Sequence, residues 1–358
     1  MATIKKLSLL LVLIVMQVIV NAQPGADSLL DFIAANKSRA AFYFVKNDTV
    51  ICRQNENKMM PLASTVKYLV AVEFAKQAGS KVIDENNYVA LKELEKYYIA
   101  NTDGGAHPGW LSFERSQNHI QHDSVKLIDV ARGMIIFSSN ANTEYLMDLL
   151  GLDNISNNIK LFGIKGHTDL YPMVSSLFLY QNPRNAKEEK ILKGITDLTE
   201  EQYVATIAHI HNALKYDSTL RKKFRPQDLS EKMQQLWSNR LPASSVKNYV
   251  QLCSILNQRK YLDQKSYAVL ARVLEYITEN PGNQKNYKHF GLKNGSTAFV
   301  LTEAFYATTQ KDDRFEAAYF FNDLTNDENV KLQGWLNSFR IALTQQDAFR
   351  KKAMDIIK

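Results

Sequence analysis

The sequence predicts an α+β fold: an antiparallel sheet flanked by helices, built from both chain ends, with an all-helical part inserted between them. Three observations predict it. Strand-like runs are confined to residues 39–53 and to the stretch after residue 288. Residues from about 80 to 275 have helical texture with no convincing strand, and a long helical pattern closes the chain. The α/β part would thus comprise about 23–80 and 276–358, and the helical part about 81–275.

The first element is a targeting segment. Lys5 and Lys6 precede an apolar run over residues 7–20, and Val20-Asn21-Ala22 supplies small residues suited to cleavage before Gln23. The run falls short of the roughly 20 residues a spanning helix needs, so residues 1–22 read as a signal peptide. The mature chain is expected to be secreted or periplasmic, with no stable membrane span. Residues 28–35 then form a short amphipathic helix. Residues 39–45 and 49–53 alternate as two strands around Lys46-Asn47-Asp48, a polar hairpin turn. Pro61 ends this section, and a helical pattern runs from Ser64 to Gly79, placed as its C-cap.

Within the helical part, residues 124–137 and 142–150 carry apolar positions at helical spacing. Residues 101–110 (NTDGGAHPGW) form a Gly/Pro-rich loop long enough to suggest a functional or lineage-specific insertion. A second irregular stretch spans residues 163–185. Three strands follow over residues 288–292, 299–308 and 315–321. The last helix, from about residue 329 to 357, is interrupted or kinked near Gln345.

Removing residues 1–22 takes away two lysines and no acid, lowering the formal charge from +7 to +5. The remaining charges are mixed along the chain, and no basic-aromatic stripe of the kind nucleic acid requires is present. Cys52 and Cys253 could pair in an oxidising compartment, but two buried thiols are the better reading. His209-Ile210-His211 lies in a helical stretch where the two rings diverge by about 200°. His119 and His122 sit in a loop with no further obvious ligand, so all four read as surface histidines, and no cofactor or metal is expected.

Ser64-Thr65-Val66-Lys67 opens an apolar helix, and residues three apart share a helix face. A serine hydroxyl needs a neighbour to take its proton, and a lysine with a depressed pKa can do so. The free N–H groups of a first helical turn can stabilise an oxyanion. The string alone is weak: Ser244-Ser245-Val246-Lys247 matches it too, with Ser244 or Ser245 an ordinary N-cap. Context favours Ser64. Ser138-Ser139-Asn140 occupies a tight inter-helix turn, where a hydroxyl could relay a proton and an amide could hold a carbonyl. Lys293-Asn294-Gly295-Ser296 ends one strand and leads towards the next, adding positive charge and a glycine that lets a substrate approach.

The order Ser-x-x-Lys, Ser-x-Asn, Lys-x-Gly resembles the class A β-lactamase and penicillin-binding-protein superfamily of serine hydrolases, over about residues 38–340. The resemblance implies Ser64 as acylated nucleophile, Lys67 as its proton acceptor and Ser138 as proton shuttle. It implies substrate binding by Asn140, Lys293, Asn294, Gly295 and Ser296, with the backbone N–H groups of Ser64 and Ser296 as oxyanion hole. Three positions depart from the family pattern. Ser139 stands where Asp is usual, Asn294 where Thr or Ser is usual, and Tyr171, before Pro172, where a deacylating Glu is usual. Asp169 is the only acid within reach in that segment. The expected substrate is a small molecule, a β-lactam or a peptidoglycan-derived amide or ester. Three readings stay open: an enzyme that acylates but turns over β-lactams slowly, such as a D-Ala-D-Ala carboxypeptidase or esterase; a competent β-lactamase with its deacylating group elsewhere; or a catalytically silent peptidoglycan-binding relative.

Overall fold

The computed structural model describes residues 23–181 and 186–357; the expected signal peptide lies outside them. Five strands make the main sheet: β1 (Ala40–Lys46), β2 (Thr49–Gln54), β3 (Tyr287–Ser296), β4 (Leu301–Thr309) and β5 (Arg314–Phe321). Their order is β2-β1-β5-β4-β3, antiparallel throughout. The β1–β5 ladder, from Ala40↔Phe321 to Lys46↔Phe315, joins the two chain ends as the sequence predicts. Asn47 and Asp48 both take positive φ (50° and 64°), the geometry a two-residue hairpin turn demands.

Both faces of the sheet are covered, which is why its central strands are apolar on both sides. Side chains alternate along a strand. On β5, Phe315, Ala317, Tyr319 and Phe321 join one core with helices Gln23–Ala35, Asn326–Gln345 and Asp347–Ile356. Ala318 and Phe320 point the other way, into a larger core with helices Lys67–Gly79, Val246–Asn257 and Gln264–Leu274 and the rest of the helical block. No helix among the described residues is long and apolar enough to cross a membrane.

Several boundaries differ from the sequence reading, each for a physical reason. The first helix begins at Gln23 rather than 28. β3 continues to Ser296, because Lys293, Asn294, Gly295 and Ser296 pair with Ala304, Glu303, Thr302 and Leu301; the run is sheet ladder, not a strand end. The helical block contains short strands: Tyr88–Ala90 pairs with Ser124–Lys126, and Ala243–Ser244 pairs with Met60–Pro61. Two or three residues are too few to show alternation. Half of the 101–110 loop is helix: Gly104 and Gly105, both at positive φ, curl the chain into the helix Ala106–Ser116, with Pro108 tolerated in its first turn. Gly79 is not a cap but lies inside its helix, where an added Cβ would sit 2.6 Å from the Ser266 backbone nitrogen. The C-terminal helix breaks at Gln346, one residue from the expected point, and starts earlier than expected at a Thr325/Glu328 capping box.

Candidate active site

Ser64 lies in a 3₁₀ turn, Ala63–Val66, that leads directly into the Lys67–Gly79 helix. Ala63 holds φ at 45°, an uncommon conformation for a residue with a Cβ and a mark of imposed local geometry. The Lys67 side chain is fully buried. Its amine donates to the Ser138 carbonyl (2.7 Å), Ser138 Oγ (3.2 Å) and Asn140 Oδ1 (2.8 Å). The bonds therefore run to the Ser138 turn and not to Ser64 Oγ. Burial holds the Lys67 pKa well below the usual lysine range, and the charge of Lys293 pushes it the same way. Burial also brings Lys293 down to about 7, against the pull of Glu303. An amine so placed can be neutral and accept a proton near neutral pH.

Ser138 joins the helices Leu127–Ile136 and Asn140–Leu150 with φ at 64°, so its backbone too is held in a sparsely populated state. Ser139 takes no part in the cavity. Its buried hydroxyl caps the second helix, accepting from Asn142 N (3.3 Å), and meets His107 Nδ1 at 3.0 Å. A neutral cap paired with a histidine thus fills the position where the family pattern has Asp; burial lowers the His107 pKa, so the ring leans towards its neutral form.

β3 forms the opposite wall. Gly295 is pressed against the nucleophile turn: a Cβ built there would lie 2.3 Å from Ser64 N, 2.8 Å from Leu62 O and 2.8 Å from Thr65 N. Thr302, buried on β4, pins this contact. Its hydroxyl reaches Leu62 O at 2.7 Å, Thr65 Oγ1 at 2.8 Å and Gly295 O at 3.3 Å. The sequence reading missed Thr302, and an isolated threonine in an apolar strand gives no signal. Asn294 and Ser296 alternate outward from this strand and are exposed, while Lys293 is buried behind it.

Between these walls is a cavity of about 670 Å³. Ser64, Ser138, Asn140, Asn294, Gly295 and Ser296 all line it, and the two buried lysines stand behind. Met173, Leu177, Phe224, Leu229, Trp237 and Leu241 give it an apolar flank, and Asn101, Thr102 and Asp103 close the third side.

The irregular stretch contributes no carboxylate to this cavity. Tyr171 is buried away from it, edge-on to Tyr203 at 5.6 Å, with its hydroxyl donating to the Arg240 carbonyl. Asp169 is exposed and is not among the lining residues. Glu144, one turn beyond Asn140, fastens the stretch from behind: its carboxylate accepts from Val174 N (2.7 Å), Ser175 N (3.2 Å) and Ser175 Oγ (3.0 Å). His211 meets Ser175 Oγ at 2.9 Å and Asp148 Oδ1 at 3.0 Å. It is buried, which corrects the surface reading: its side of the helix packs inward while His209 stays exposed. His119 bonds Glu114 at 2.7 Å, and Asp129 comes near the pair, so the partners that spacing did not show come from two neighbouring helices. The second Ser-x-x-Lys string is structural: Ser245 caps its helix, and Lys247 is exposed. Cys52 and Cys253 are free, buried thiols, and burial raises both pKa values, Cys52 to about 12.

The model of the beta-lactamase enzyme family matches residues 26–334. This chain belongs to that family. Solved structures similar to it include a beta-lactamase from Chitinophaga pinensis, with TM-score 0.54 and 14% identity over 89% of this chain and 98% of that one. Another is a beta-lactamase from Sphaerobacter thermophilus, with TM-score 0.53 and 16% identity over 90% and 96% of the two chains. PBP-A, one structure of which is an acyl-enzyme complex with penicillin G, gives TM-score 0.50 and 15% identity over 88% and 95%. At these identities the likeness is one of fold. No curated protein matches the chain.

Proposed function

We propose that this family member is an exported serine hydrolase that forms a covalent acyl-enzyme at Ser64 with a β-lactam or a related amide or ester. The observation that carries this reading is the buried, pKa-depressed Lys67, linked through Ser138 to a cavity on which Ser64 opens. Ser64 Oγ would attack the substrate carbonyl and pass its proton towards Lys67. Ser138 lies at 3.2 Å from that amine, placed to carry the proton on to the leaving nitrogen or oxygen. The N–H groups of Ser64 and Ser296 would hold the oxyanion, and Asn140 and Asn294 the substrate's polar groups. Export follows from the charged-then-apolar start of the chain and from the extracytoplasmic setting of cell-wall peptides.

The test is intact-mass spectrometry of the mature protein and of Ser64→Ala after incubation with a penicillin, a reactive ester and a D-Ala-D-Ala peptide. An adduct, or hydrolysed product, with wild type alone supports the reading. Neither adduct nor product with any substrate would make the chain a binding protein.

A further inference from the structure

An acyl-enzyme is released only if a water is deprotonated as it attacks the ester, and the residues of the irregular stretch do not supply the base. We infer that Asp103, on the opposite wall, activates the deacylating water. This rests on the acyl-enzyme reading above and extends it to the second half-reaction.

Asp103 is the only ionisable side chain among the described residues that line the cavity. It is placed there by a tight curl: Asn101, Gly104 and Gly105 all take positive φ (63°, 61° and 86°), folding the loop back at the start of the Ala106–Ser116 helix. The carboxylate is fixed on the backbone, one oxygen accepting from Gly105 N (3.2 Å) and the other from His107 N (2.9 Å). No ion pair neutralises it among the described residues, and each oxygen keeps a further acceptor site for a water. Its charge is felt at Lys67, so it lies within electrostatic reach of the reacting centre.

Two other groups compete for the role, and both are occupied. Glu144 is also near Lys67, but it is buried outside the cavity lining, with its oxygens committed to Val174, Ser175 and the Ser175 hydroxyl. Lys67 is committed to Ser138 and Asn140, and its ammonium form is needed to return a proton to the departing serine. Met173 and Leu177, which the irregular stretch presents instead, can only exclude water from their side.

The step balances without a further reagent. Water oxygen attacks the acyl carbonyl as Asp103 takes one of its protons, and the carbonyl electrons move to the oxyanion. When the tetrahedral intermediate collapses, the bond from carbonyl carbon to Ser64 Oγ breaks, and Oγ takes back a proton from Lys67 by way of Ser138. The carboxylic acid product leaves, and its proton, or that on Asp103, passes to solvent.

The experiment compares wild type, Asp103→Asn and Asp103→Ser, using a penicillin and a reactive ester, with adduct formation and decay followed by mass. Asn and Ser both cap helices, so both variants keep the Ala106–Ser116 start while removing the base; thermal melts verify this. The expected result is unchanged adduct formation with release slowed about 100-fold or more in both variants, the size of a lost general base. Release within threefold of wild type overturns the inference. So does loss of adduct formation in the variants alone, which would make Asp103 a substrate-binding group, or an adduct that wild type itself never releases. Absence of any adduct or product with wild type is a different failure, that of the acyl-enzyme reading itself.

Discussion

Gly295→Ala tests the geometry of the site most directly. The added methyl carbon would lie 2.3 Å from Ser64 N and 2.8 Å from both Leu62 O and Thr65 N, where ordinary contact begins at 3.4 Å. The gap must open by about 1 Å, a displacement that can cost about 100-fold in rate when it falls on reacting groups. No rotamer change can relieve it, because all three contacts are backbone atoms and Thr302 ties both sides together. The movement separates Ser64 N from β3, and so from Ser296 N, the two proposed oxyanion donors. Losing one such donor costs about 100- to 1,000-fold, or about 3–4 kcal/mol of transition-state stabilisation. Overpacking should also lower stability by about 1–3 kcal/mol. The assay is the rate of Ser64 adduct formation by rapid-quench mass spectrometry, with a thermal melt of the same sample. Adduct formation within threefold of wild type, in a variant that melts normally, would refute the proposed oxyanion hole.

Two further predictions concern charge. Replacing Lys293 by Met removes a like charge beside Lys67, so the Lys67 pKa rises and the acid limb of the acylation–pH profile moves to higher pH; a limb that stays in place would remove Lys293 from the mechanism. His211 is raised to about 9 by Asp148 and Glu144, against the burial that opposes its charge. A raised pKa stabilises the fold below the unfolded value near 6.5, and this is lost as pH climbs through about 9, worth at most about 3 kcal/mol. Urea unfolding at pH 6.5 and 9.5 should show that loss in wild type and not in His211→Gln; parallel curves would contradict it.

The parts of the fold legible in the sequence were those with long periodic signals. The β1–β2 hairpin declared itself through alternation around Asn47-Asp48, and the α+β order through strands at both chain ends. The short strands at 88–90 and 124–126 did not, since three residues hold no period. In the site, Ser64, Lys67, Ser138 and Asn140 could be proposed because nearby residues on a helix or a turn share a side. Asp103 and Thr302 could not, since their relevance comes from contacts made across the fold: Thr302 reaches Leu62 from 240 residues away. The same limit explains the histidines. Sequence shows how residues 209 and 211 diverge around an axis, but not which of them meets Glu144 and Asp148.

The wide separation of the two walls bears on how the molecule matures. Synthesis produces the serine and its lysine early, while β3, β4 and the threonine pin come last. A chain interrupted before residue 287 would have no second wall, and β1 would lack its β5 neighbour as well. Pairing so distant in sequence is slow and carries a large loop-closure cost. Partly folded chains would therefore be unreactive, and labelling of Ser64 by an acylating probe would count only molecules that had finished folding.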